Sequence, residues 1–282
     1  MTQPAPAQSP IASQNFHNLL RYPGEGRALW FTLTLLALIV LFLSAFDFGL
    51  AAVFVLIGLW VVNRLVRISH RRQIGNAVRV SKTQLPELAQ ELAAAAERLR
   101  VPPLQAFVYQ DYRINAYSFG WSPPQAVVLT SQLVKVMDAD ELRFVSGHEM
   151  GHIALGHTKL GTLVGGILGA PRIPILSDLI LPIFMWWSRC AEYSADRAGV
   201  IACGKLDKSI SALLKLMVGP DLAGQLRMDE ILAQSKELAG KPEAMLGELG
   251  VSHPFLVHRV RALVNFWEDP KTQPLKSGDV PQ

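Results

Sequence analysis

The chain is poor in cysteine and in charge, and both shortages narrow what it can be. Two cysteines, Cys190 and Cys203, stand among 282 residues, and neither belongs to a CxxC pair. A disulfide framework or a thiolate zinc site is therefore not expected, and two isolated thiols suit a reducing compartment. Charged residues make up 18% of the chain against 50% hydrophobic. That balance is too apolar for an ordinary soluble enzyme and fits a membrane protein with a folded domain. There is no internal repeat. No small-x-small cleavage pattern follows the first apolar stretch, and the polar lead of residues 1–27 is long for a signal peptide.

What the chain has in quantity is an apolar run over residues 28–62, broken only by Asp47. As one helix it would span about 52 Å, well beyond a hydrocarbon core of about 30 Å. Two helices over 28–46 and 48–66 fit better, with a turn at Asp47-Phe48-Gly49, and together they predict a transmembrane hairpin over 28–66. Asn63 and Arg64 can snorkel to the interface from the second helix. Arg21 and Arg27 precede the hairpin, Arg64, Arg67, Arg71, Arg72, Arg79 and Lys82 follow it, and the turn has no basic residue. By the positive-inside rule, both termini face the cytoplasm, across the inner membrane if the cell is bacterial. The basic run over 64–82 can hold anionic headgroups of the lipid bilayer. Its place beside a span explains it without a nucleic-acid partner.

The chemistry concentrates in His148-Glu149-Met150-Gly151-His152, an HExxH pentad. On a helix, positions i and i+4 share a face, so His148 and His152 can point imidazole nitrogens at one Zn²⁺. Glu149 then sits beside the open coordination site, where it can take a proton from an activated water. Asp138 with Glu141 three residues on gives the spacing of a capping box, which starts the helix. Gly147 and Gly151 are poor helix formers and suit close approach by a neighbouring strand or substrate backbone. A third ligand is still needed. His157 falls one residue short of the HExxHxxGxxH pattern, whose last position is Thr158, and is expected to be a solvated residue at the helix end. Glu192 is the better candidate. With Asp196 it forms an i, i+4 pair in which Glu192 ligates the metal and Asp196 accepts the N–H of a ligating histidine. The same pair would also suit a surface helix in which these acids meet Arg189 or Arg197.

HEMGH, followed by Ser188-Arg189-Cys190-Ala191-Glu192-Tyr193-Ser194-Ala195-Asp196, resembles the HtpX-like and CAAX-prenyl-protease superfamily of membrane-associated gluzincins. Asn115-Ala116-Tyr117 is similar to that family's Asn-Ala-aromatic stretch. His253-Pro254-Phe255-Leu256-Val257-His258-Arg259 is similar to its late HPxxxxR element. The four segments cover about residues 80–265. The resemblance implies a zinc-dependent endopeptidase with one Zn²⁺ on His148, His152 and Glu192, Glu149 as general base and Asp196 behind the ligands. It also implies a substrate-binding edge strand at Asn115, Ala116 and Tyr117. His253 and Arg259 would lie near the site, steadying the tetrahedral intermediate or packing the Glu192 helix. Protein substrates, membrane proteins among them, and a role in quality control or processing follow from the same resemblance. The competing expectation is a non-catalytic membrane scaffold or chaperone that retains a zinc site, for which Glu149 has no use. A prenyl-protein processing enzyme would need more spans than the two legible here.

The expected fold is α+β and mostly helical, a zincin-like metallopeptidase domain with a small β-sheet. Residues 1–20 are expected to be a disordered tail, 80–268 the metallopeptidase domain and 269–282 a second disordered tail. Strands are expected over 104–110, 114–121 and 126–130, and helices over 87–100, 139–155, 192–201, 208–218, 228–238 and 258–266. A hydrophobic insertion over 159–187 is expected either to dip into the bilayer, with Phe184, Trp186 and Trp187 at the interface, or to lie as a lid over the site. Cys190 is expected to turn away from the metal into the core.

Overall fold

A computed structural model describes residues 10–46, 49–102, 104–120, 125–159, 176–241, 243–244, 247 and 253–277. In chain order these form α1 (Pro10–Leu20), α2 (Glu25–Phe46), α3 (Leu50–Gly75), β1 (Val78–Arg79), α4 (Pro86–Arg98), β2 (Gln105–Tyr109), β3 (Ala116–Phe119), β4 (Ala126–Thr130) and α5 (Ser131–Val136). There follow α6 (Ala139–Ala154), α7 (Leu176–Cys203), α8 (Leu206–Val218), α9 (Pro220–Ala223), α10 (Met228–Leu238), α11 (Leu256–Glu268), a 3-10 turn (Pro270–Thr272) and α12 (Gln273–Ser277). The fold is α+β and mostly helical, as the sequence predicts. The sheet runs in the order β1-β2-β4-β3, with β2 and β4 parallel and β1 and β3 antiparallel to their neighbours. β4 is buried along its whole length, which is why it reads as an apolar run up to Leu129. β1 is two exposed residues and leaves no periodicity to read.

Helix α6 starts where its caps dictate. Asp138 Oδ1 accepts from the Glu141 N–H at 2.9 Å, and Glu141 Oε2 accepts from the Asp138 N–H at 2.8 Å, a reciprocal arrangement that stabilises by about 1 kcal/mol. Glu141 is 1% exposed. Its charge is matched from α8 by Lys215 Nζ at 2.6 Å and the Ser211 hydroxyl at 2.7 Å. Beyond the cap, Leu142, Phe144, Val145, Met150 and Ile153 tie α6 into the main core.

The two glycines of α6 serve a helix, not a strand or a substrate backbone. Gly147 lies against Gly199 and Ala202 of α7, and Gly151 against Ala195 and Ala198. A Cβ on Gly151 would stand 2.6 Å from the Ala198 Cβ, well inside van der Waals contact. With only hydrogen at 147 and 151, the two backbones come together along a seam of small side chains.

The ends of the chain are more ordered than their composition suggests. Residues 10–20, part of the expected disordered tail, form α1 and bury Phe16 and Leu20 in the main core. This i, i+4 apolar pair outweighs the polar residues around it. His17 Nε2–H donates to the Leu99 carbonyl at 2.8 Å. Residues 269–277 of the other expected tail make the 3-10 turn and α12, with Leu275 buried and the Thr272 hydroxyl donating to the Phe266 carbonyl at 2.9 Å. Residues 1–9 and 278–282 of the two tails lie outside the described residues.

Among the described residues, α2 is the one helix long and apolar enough to cross a membrane. It packs against α3 and α7, yet Trp30, Leu38, Leu41, Phe42 and Phe46 remain exposed, as do Phe54, Leu56 and Trp60 on α3. Residues 47–48 of the expected turn and 160–175 of the expected insertion lie outside the described residues. The rest of the insertion, from Leu176, is the first half of α7. Phe184 and Trp187, expected at a membrane interface, are instead buried with Ala28 of α2, Cys190 and Ala191. Trp186 is exposed and meets Phe31 edge-on.

Gly147→Ala or Gly151→Ala is expected to destabilise the protein by about 1–3 kcal/mol through overpacking. This exceeds the roughly 1 kcal/mol that alanine gains over glycine in a helix. Urea unfolding in detergent measures the balance, and a net gain in stability would show that the seam has room to spare.

Candidate metal centre

His148 and His152 stand one turn apart on α6, with their Nε2 atoms 3.2 Å apart. Glu192 reaches them from α7, its Oε2 3.7 Å from His148 Nε2 and its Oε1 3.4 Å from His152 Nε2. One ligand atom from each of these three residues lies within 4.8 Å of the others. Both Nδ1 atoms are committed elsewhere. That of His148 is 3.0 Å from Asp196 Oδ1, and that of His152 is 3.0 Å from His157 Nδ1. With the ring protons on Nδ1, two bare Nε2 lone pairs face each other, a repulsive arrangement that a cation between them relieves. Two nitrogens on a tetrahedral zinc would be roughly 3.3 Å apart, close to the separation found. Glu192 Oε2 is buried without a well-aligned hydrogen bond, although His253 Nδ1 lies 2.9 Å away. Two imidazoles and an under-satisfied carboxylate form a donor set that fits a divalent metal ion.

The acids of the site are held ionised by their neighbours. Burial opposes ionisation of Glu192, but the charge of His253 outweighs it and keeps the carboxyl well below its usual range. Burial likewise opposes ionisation of Asp196, and the Arg259 guanidinium overcomes it. Arg259, on α11, grips Asp196 with both prongs, Nε to Oδ2 at 2.8 Å and Nη2 to Oδ1 at 2.6 Å. Asp196 thus joins Arg259 to His148, and the three helices α6, α7 and α11 meet at one carboxylate. Glu192 and Asp196 both face Arg259. Arg197 lies over the rings of Tyr22 and Phe266.

The remaining residues singled out in the sequence fall around this centre. Glu149 follows His148 on α6, is 8% exposed, and its charge acts on His152. Ala116 and Tyr117 lie on β3, at an edge of the sheet, which packs against α6. Asn115 precedes the strand and is exposed; its backbone N–H donates to Thr130 Oγ1 at 3.1 Å and its side-chain oxygen accepts from the Ala116 N–H at 3.0 Å. Tyr117 is half-buried, and burial raises its phenol. His253 is largely exposed on one side and contacts Glu192 on the other. Cys190 turns into the core, where burial pushes its thiol up to about 11.

His157 departs from expectation. It is 3% exposed, with Nε2 3.2 Å from Oε1 of Glu25. Desolvation lowers its pKa to about 4 despite the opposing pull of Glu25, so the ring is neutral near pH 7. Neither Glu25 nor a buried His157 is suggested by spacing. The one available signal is a lone acid at the mouth of an apolar helix, where a charge is costly without a partner.

The model of peptidase family M48 matches residues 81–266. The plastoglobule-localized metallopeptidase 48 of Arabidopsis thaliana chloroplasts is 31% identical over 204 residues, 67% of this chain and 59% of that protein. The chain therefore spans less than two thirds of that relative. Protease HtpX of Acinetobacter baumannii is 29% identical over 215 residues, covering 62% of this chain and 70% of its own length. Protease HtpX of Pseudomonas putida is 28% identical over 263 residues, 81% of this chain and 85% of its own length.

Arg259→Leu leaves Asp196 a buried carboxylate without its cationic partner, and the metal-free protein is expected to lose about 3–5 kcal/mol. The sign with pH also follows. The folded pKa of Asp196 is depressed, so its contribution is complete above about pH 4 and fades as pH falls through the folded value. Removing Arg259 raises that folded pKa toward or above the unfolded value, so the stability that the wild type loses through this group on acidification is smaller in the variant. Urea midpoints measured from pH 3 to 7 read both effects, and overlapping curves for variant and wild type would contradict them.

Proposed function

Because the chain belongs to peptidase family M48, we propose that it is a membrane-anchored, zinc-dependent endopeptidase acting on protein substrates, membrane proteins among them. The observation that carries this reading is the convergence of His148 Nε2, His152 Nε2 and the Glu192 carboxylate, with Glu149 next to the first ligand on the same helix. His148, His152 and Glu192 would hold the Zn²⁺, which when bound polarises the scissile carbonyl and lowers the pKa of water toward ~7. Glu149 accepts the proton of the attacking water and delivers it to the leaving amine. Asp196 fixes the tautomer of His148 so that Nε2 stays free. The edge β3, from Asn115 through Tyr117, takes substrate backbone as an added strand. His253 stabilises the oxyanion from the exposed side of the site, while Arg259, committed to Asp196, acts through position.

For the anchor, α2 and α3 form the transmembrane hairpin of residues 28–66. The flanking arginines keep the 80–268 metallopeptidase domain on the cytoplasmic side, against anionic lipid. A site so close to the bilayer suits quality control or processing of membrane proteins. A scaffold or chaperone with a structural zinc is the alternative, and a buried Glu149 beside the ligands has no task in it.

Glu149→Gln is expected to keep stoichiometric zinc and to lose peptide hydrolysis by roughly 10²–10⁴-fold, the size of a general acid–base contribution. Glu192→Gln is expected to lose zinc as well. Hydrolysis of a peptide library with parallel metal analysis tests both; undiminished cleavage by Glu149→Gln would remove its role as general base, and a zinc-loaded wild type that cleaves no peptide would remove the endopeptidase reading.

A further inference from the structure

We propose that Glu25, acting through His157, is a positioning residue for the metal ligand His152, so that the segment entering α2 completes the metal centre. The inference rests on the metal-binding half of the reading above, not on the hydrolytic half.

The direction of the chain follows from valence. If His152 Nε2 is given to the metal, its remaining N–H is on Nδ1 and donates to His157 Nδ1 at 3.0 Å. His157 must then carry its own proton on Nε2, which donates to Glu25 Oε1 at 3.2 Å. Two imidazoles and a carboxylate line up in one polarity, each donor meeting an acceptor. An N–H so engaged fixes the ring and raises the basicity of the ligating nitrogen.

Glu25 is built to hold still. It is 1% exposed, and a buried carboxylate needs partners. Arg21, in the link between α1 and α2, pairs with it, and the Ser194 hydroxyl donates to its other oxygen. Ser194 lies two residues after Glu192 on α7 and also accepts from the Tyr22 N–H at 2.7 Å. Arg21 Nη2 donates to the Leu155 carbonyl at the end of α6 at 2.8 Å, and Arg197 Nη1 of α7 donates to the Arg21 carbonyl at 2.8 Å. Residues 21–25 are thereby fastened to both metal-bearing helices.

The two ligating histidines are consequently backed from different parts of the chain. His148 leans on Asp196, within residues 81–266. His152 leans on Glu25, which lies before that span and opens the apolar helix. Docking of the anchor and holding of the metal become one event.

The test uses the full-length protein in detergent, with Zn²⁺ affinity measured by competition with a chromophoric chelator and the melting temperature of the metal-free form measured alongside. Glu25→Ala is expected to weaken Zn²⁺ binding by about 10–100-fold, the usual cost of losing such a partner. Glu25→Gln is expected to lose less, because its amide oxygen still accepts from His157. His157→Phe is expected to match Glu25→Ala, and the double variant to lose no more than either alone. Leu275→Ala truncates a buried core side chain of α12, outside this network, and serves as a control that lowers the melting temperature without changing Zn²⁺ affinity. Wild-type affinity in Glu25→Ala, additive losses in the double variant, or Zn²⁺ loss in Leu275→Ala matching that of Glu25→Ala would each overturn the proposal. If the wild type binds no Zn²⁺, this proposal and the metal reading fall together. If it binds Zn²⁺ but hydrolyses no peptide, only the hydrolytic reading falls.

Discussion

The close approach of α6 and α7 is the constraint from which the rest of the site follows. Gly147 and Gly151 face Ala195, Ala198, Gly199 and Ala202, so the backbones pack without side chains holding them apart. Each glycine immediately precedes a ligand or its i+4 mate, and successive helical residues point about 100° apart. Pressing the glycine face of α6 onto α7 therefore turns His148 and His152 to the flank of the contact. Glu192 and Asp196, one turn apart on α7, meet them there. Larger residues in the seam would bury more apolar area, but they would push the carboxylates out of reach.

A cluster of ionisable groups buried at such a seam is costly unless each is matched. Here the matching is almost complete. Arg259 offsets Asp196, His253 offsets Glu192, Lys215 offsets Glu141, and Arg21 with Ser194 offsets Glu25. What stays under-satisfied is Glu192 Oε2 and the pair of bare Nε2 atoms. The deficit lies at the point where a cation would sit. Rigid hydrogen-bonded surroundings and a deliberately incomplete centre are the two halves of a preorganised metal site.

Local signals made much of this legible. The capping box at Asp138 and Glu141, the HExxH spacing and the ExxxD pair are all patterns within one helix, and the structure brings their side chains together. Three of the four strands were readable, β4 most clearly because it is apolar from Ala126 to Leu129. What could not be read depends on distance along the chain. Glu25 and His157 are 132 residues apart, and nothing in the spacing of either announces a buried pair. The same holds for α1, which packs on α7, so that Phe16 and Leu20 become core only once that distant helix is in place. Phe184 and Trp187 looked like interfacial aromatics because composition alone cannot tell a lipid-facing ring from one packed on Ala28 and Cys190. Gly147 and Gly151 announced a close approach, but not that a helix would make it.

The most direct test of the central claim is X-ray absorption at the zinc edge of the purified full-length protein. Two imidazoles with additional oxygen scatterers, and nitrogen or oxygen neighbours at about 2.0–2.1 Å, are the predicted first shell. Sulfur scattering near 2.3 Å would contradict the assignment of His148, His152 and Glu192, as would a spectrum identical in Glu192→Gln.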